Sequence, residues 1–189
     1  PGGLLHQYLN EGRYRIFNGF RLLILTTAVS LFLMYLVGPE EIFGNLTEGW
    51  DNYEASEAKI DPAELQNVFF DWYNILLWIA IPIYALFSYM ANRKAGYNYA
   101  EHVVMQSFHI SAINVITIVL IGFSILISVS WMFYAILLVS FVYYLWMLTA
   151  WIRRRSVWFI LKNVFAFLLA NLIYVFVSSG TAMAILLSK

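Results

Sequence analysis

Of 189 residues, 62% are hydrophobic, 19% aromatic and only 12% charged, whereas soluble domains carry about 25% charged residues; lipid rather than water is the main solvent of this chain. Eleven basic and eleven acidic residues cancel, which argues against a nucleic-acid binder, whose basic excess gathers on one face. Cysteine is missing from the composition, and that excludes disulfides, thiolate zinc sites, iron–sulfur clusters and thiol nucleophiles.

Residues 1–19 set Leu4, Leu5, Tyr8 and Leu9 at helical spacing among His6, Gln7, Asn10 and Glu11. The pattern predicts a short cytoplasmic helix lying in the membrane interface, with Arg13 and Arg15 at headgroup level. A first span is expected over 20–37, long enough to cross about 30 Å of hydrocarbon. No small-residue cleavage site precedes it, so it reads as a retained span and not a secretory signal. Gly38-Pro39 ends it, because proline cannot continue the hydrogen-bond ladder.

Residues 38–73 form an acidic external loop. Nine of the eleven acids fall between Glu40 and Asp71, against the single base Lys59. Those acids lack the spacing of a twelve-residue calcium loop, and a solvated, partner-facing surface is the expectation. Within the loop, Asp61-Pro62-Ala63-Glu64 is a helix start, with an acid at the N-cap and proline at the first helical position. That helix should run through Phe69, Phe70, Trp72 and Tyr73, an aromatic belt at the membrane surface, into a second span over 74–91. Pro82 should kink it unless neighbouring groups satisfy the freed carbonyl.

A third span is expected over 100–127, a polar turn at 128–130, and a fourth span over 131–152. Arg153-Arg154-Arg155 stops the fourth. The last helix, 157–187, exceeds one bilayer crossing, so its first turns near Lys162 should lie in the interface. Ser178-Ser179-Gly180 within it permits either close packing or a local break. Neither an internal repeat nor a soluble domain is apparent, so the whole chain reads as one membrane domain. The expected class is all-α, an integral membrane bundle of five transmembrane helices. Nine basic residues fall on one side of this plan and only Lys59 and Lys189 on the other. By the positive-inside rule the N-terminus is cytoplasmic and the C-terminus external. Asn45-Leu46-Thr47, a glycosylation sequon on the external side, carries little weight alone.

Chemistry is sought first between Gly96 and His109. At 100° per residue His102, Gln106 and His109 fall within about 60° of one another, with Asn98 joining them if the helix extends back and Glu101 one position round. Ionisable groups inside a span usually face a bundle interior or wet cavity. One reading is a polar track for protons or ions, with His109 about 10 Å deeper than His102. The plainer and preferred reading is a helix lock, in which Glu101 and His102 cap the helix start and pair with Arg93, Lys94 or the arginine run, while His109 bonds a neighbouring helix. Histidines about 10 Å apart do not hold one metal ion unaided, and adjacent Glu101 and His102 diverge by about 100° and form no dyad. No metal, cofactor or catalytic residue is assigned. Arg13, Arg15, Arg21, Arg153, Arg154 and Arg155 are candidate lipid-headgroup contacts, and mid-span Asn114 and Asn171 are candidate interhelical glue.

Two stretches carry a family resemblance. Tyr-Asn-Tyr-Ala-Glu-His-Val-Val at 97–104 resembles the Tyr-Asn-Tyr-Ala-Glu-His-Leu-Val signature of a bacterial membrane family, found largely in Bacteroidetes, that carries the domain-of-unknown-function label 3667. Near the N-terminus, Tyr8, Leu9, Arg13, Arg15, Asn18, Phe20 and Arg21 match a second pattern of that family in register. Glu11 stands for a glycine there, Ile16 for a tyrosine and Gly19 for a proline. The resemblance implies a cysteine-rich zinc ribbon before the membrane region, which this sequence lacks, and it implies no catalytic residue. A looser architectural similarity is to Yip1-like five-span proteins. Together these features lead to the expectation of an accessory, scaffolding or assembly subunit of a bacterial inner-membrane complex, without catalysis of its own. Its partners would be membrane lipids and other membrane-protein subunits, with no nucleic acid. A small transporter or proton/ion conduit stands second, and a lipid-handling protein third.

Overall fold

A computed structural model describes residues 18–37, 62–122 and 129–187. Among them five α-helices and one short 3-10 turn make up the fold, with no strand: α1 (Gly19–Val37), α2 (Pro62–Asn92), the turn Arg93–Ala95, α3 (Tyr99–Gly122), α4 (Val129–Ile152) and α5 (Val157–Leu187). All five are long and apolar enough to cross a membrane. The N-terminal segment before Asn18, most of the acidic loop and the sequon lie outside the described residues.

Local chemistry sets the helix ends. The Asn18 side chain accepts the Phe20 amide at 3.0 Å, and its carbonyl accepts Leu22 N–H. Pro62 opens α2, where the missing amide would be unpaired in any case. α2 then runs unbroken through the aromatic cluster and through Pro82 to Asn92. Gly96, at φ 90°, turns the chain between α2 and α3, a left-handed conformation that glycine adopts without strain. Ser156 caps α5 by accepting the Phe159 amide at 3.2 Å, and Arg153 closes α4 at φ 57°.

One detail differs from the sequence expectation. Ser130 does not form a turn; it lies inside α4, which starts at Val129. Ser178-Ser179-Gly180 does not break α5 either: Ser178 donates to Val175 O at 3.1 Å, and a Cβ at Gly180 would meet nothing within 4 Å, so no close approach occurs there.

α3 organises the bundle. It packs against α1, α2 and α4, while α5 returns to lie along α2. Accordingly 44% of the α3 span is buried inside the protein, against 22% of the α5 span. α1 turns Gly19, Leu23, Thr26, Thr27, Ser30 and Met34 inward, a stripe of three- and four-residue steps that is mostly small or hydroxylic. Such residues let helix backbones approach closely where lipid supplies no hydrophobic drive. Asn114 of α3 donates to Thr27 Oγ1 at 3.0 Å and to Thr26 Oγ1 at 3.5 Å, and Met34 packs on Ile121. At the stripe's start a Cβ on Gly19 would stand 2.6 Å from Ser107 Oγ and 3.1 Å from the Phe108 ring. That contact leaves no room for a side chain at this position. The outer face of α5 is the inverse: Trp158, Phe165, Leu168, Leu172 and Phe176 are exposed, as suits residues solvated by acyl chains.

Candidate functional site

His102 and His109 of α3 meet residues of α2 and α4 in the half of the bundle near the α2–α3 and α4–α5 turns. His102 is fully buried. Its Nδ1 lies 2.8 Å from Ser88 Oγ on α2, and its ring sits edge-on to Trp151 of α4 at 4.9 Å and to Tyr89 at 5.8 Å. Ser88 Oγ also reaches Ala85 O at 3.2 Å, so its one hydrogen has two claimants. Two turns deeper, His109 Nε2 lies 3.1 Å from the Ser140 carbonyl of α4. A carbonyl only accepts, so Nε2 carries the hydrogen and Nδ1 presents its lone pair. Tyr143 stacks on the His109 ring at 6.0 Å and Tyr144 meets it edge-on at 5.6 Å.

Two further polar pairs tie α2 to α5. Asn92 Nδ2 donates to Asn163 Oδ1 at 2.7 Å and to Ser88 O at 2.8 Å, while Asn163 Nδ2 donates to Phe159 O at 2.8 Å. Tyr84 Oη donates to Asn171 Oδ1 at 2.7 Å. Around them pack Met105, Tyr144, Met147, Leu148, Trp151, Phe159 and Phe167. Each pair joins different helices, so the centre works as a set of cross-braces.

Not every polar atom is braced. His102 Nε2, both amide atoms of Gln106, His109 Nδ1 and Trp151 Nε1 are buried without a protein partner. Each such atom costs about 1–3 kcal/mol of desolvation, and in native proteins it calls for a specific explanation. Chemically the centre can accept, donate or relay hydrogen bonds and protons. Among the described residues no group of three or more His, Cys, Asp or Glu could hold a metal ion.

His102, Gln106 and His109 thus share one buried face. Asn98 does not join it: it stands exposed at the N-cap of α3, where its Oδ1 accepts the Glu101 amide at 2.9 Å and its amide donates to Glu101 Oε2 at 2.7 Å. This reciprocal cap satisfies two orphan helix-end donors and engages the Glu101 carboxylate. Among the described residues no ion pair from Glu101 to Arg93, Lys94 or the arginines 153–155 accompanies it. Arg21 and Arg153, Arg154 and Arg155 are exposed, whereas Arg13 and Arg15 lie outside the described residues. Sequence reasoning missed Ser88, Asn92, Trp151 and Asn163. Ser88 and Asn92 stand four apart at the end of an apolar run, and that spacing was a usable signal; Trp151 and Asn163 carried none, since their value depends on which helix they meet. No protein-family model, no curated protein and no solved structure matches the chain.

Proposed function

We propose that this chain is a non-catalytic subunit that scaffolds a larger membrane assembly, oriented with the α2–α3 and α4–α5 turns in the cytoplasm of a bacterium and the acidic loop outside. The supporting observation is the use made of the polar stripe: His102, His109, Asn92 and Tyr84 each engage a partner on another helix. A bundle braced in this way presents fixed outward faces, which is what a scaffold needs. The basic residues at one end favour the orientation, and the Ala-Glu-His signature favours kinship with the bacterial family named above. Gentle extraction followed by native mass spectrometry tests the reading: a reproducible co-purifying membrane protein is expected, and a bare monomer in repeated preparations overturns it.

A second reading, a narrow proton or ion conduit, is favoured by the unpartnered atoms of His102, Gln106 and His109, which follow one another along α3. Waters bridging them would make a continuous path. In reconstituted vesicles His109→Leu should then abolish a proton flux seen with the unaltered protein, and unchanged flux removes this role.

A further inference from the structure

The two turns at the basic end carry positive charge that no ion pair neutralises among the described residues. Asn92 is bonded to Asn163 and Tyr97 packs on Trp151 at 4.3 Å, so the α2–α3 turn sits directly against the start of α5. Lys94 stands two residues past Asn92, Arg154 three past Trp151, and Lys162, one and a half turns into α5, next to Asn163, so these contacts gather all three cations at one end of the bundle. Lys94 and Arg154 are exposed and Lys162 is partly so, its ammonium 5.6 Å from the Phe159 ring centroid. The nearest described acid along this end, Glu101, is engaged in the α3 cap. Like charges gathered from three segments favour an anion among them. The outward face below is apolar: Trp158, Lys162 and Phe165 fall within about 60° on the helix, and both aromatics are exposed.

We infer that Lys94, Arg154 and Lys162 hold the phosphate of an anionic phospholipid, whose acyl chain runs down α5 past Trp158 and Phe165. The site goes beyond the scaffold reading and stands without it. Cationic residues grip lipid phosphate as point charges or forks. Here the lipid would bridge the two turns, whereas Arg21 stands on α1.

The test titrates the purified full chain in neutral detergent with short-chain phosphatidylglycerol, phosphatidylcholine of equal chain length, or inorganic phosphate, reading bound lipid by native mass spectrometry. Saturable phosphatidylglycerol binding is expected, weakened about fivefold by Lys162→Gln, from about 1 kcal/mol per basic residue. The combined Lys94→Gln, Arg154→Gln, Lys162→Gln variant should lose on the order of a hundredfold. Lys162→Arg should retain binding, Arg21→Gln should change it less than about twofold, and circular dichroism should show each variant folded. Equal binding of phosphatidylcholine, equal binding of inorganic phosphate, or an Arg21→Gln loss as large as that of Lys162→Gln overturns the assignment.

Discussion

Removing one member of the Asn92–Asn163 pair should harm the bundle more than its hydrogen bond is worth. Both side chains are buried. Asn163→Leu takes away the acceptor 2.7 Å from Asn92 Nδ2, although that nitrogen keeps Ser88 O at 2.8 Å. Asn92 Oδ1, however, loses its one weak donor at 3.4 Å and is left unpartnered. Asn92→Leu orphans Asn163 Oδ1 in the same way. An unsatisfied buried group costs about 1–3 kcal/mol, so each single variant should lose roughly that much. The double variant, near-isosteric and free of orphans, should lose no more than either single one. The expected coupling is therefore about 1–3 kcal/mol, at or above the roughly 0.6–1.7 kcal/mol of interhelical hydrogen bonds in membranes. Reversible unfolding in mixed micelles, run as a double-mutant cycle, measures it. Additive single effects, with coupling below about 0.3 kcal/mol, would refute the view that this pair braces α2 against α5.

Three other perturbations probe separate parts of the structure. Gly19→Ala should destabilise by about 1–3 kcal/mol through overpacking on Ser107 and Phe108, with Ser107→Ala in the same chain restoring most of the loss in the same unfolding assay; a neutral single variant would mean that α1 does not approach α3 as closely as described. Gln106→Leu and Trp151→Phe each remove unpartnered polar atoms, so in a dry interior they should leave stability unchanged or raise it by about 1 kcal/mol or more. A loss of that size would instead reveal bound water at the centre and favour the conduit. Asn98→Ala should cost about 0.5–2 kcal/mol by uncapping α3, read as faster amide exchange in its first turn, and unchanged exchange would show that the cap contributes nothing.

The five helices were legible because lipid imposes a simple rule: a long apolar run must be helical, since every backbone group has to be satisfied within the segment. Helix starts were legible where one residue decides them, as at Pro62. The inward face of α3 was legible from the 100° step alone, which places His102, Gln106 and His109 together. What that face meets was not. Trp151 lies against His102 because α4 packs on α3 at one particular rotation, and rotation about the axis leaves no mark in a helix as uniformly apolar as α4. Asn163 was masked by its neighbour Lys162, whose charge draws the eye to the interface. Asn98 illustrates the opposite error: it shares the angular position of the stripe but lies just outside the helix, where capping chemistry takes over from helical geometry.

The dependence of α1 on α3 also has a consequence in time. The polar contacts of α1 are made with Asn114, which lies 88 residues beyond Thr26. At a synthesis rate of about 5–20 residues per second, α1 therefore exists for roughly 4–18 s before its partner has been made. During that interval Thr26 and Thr27 lack the donor that Asn114 supplies. Thr26 is already provided for, because its hydroxyl returns to Leu22 O at 2.9 Å, while Thr27 is the group that waits for the Asn114 donor.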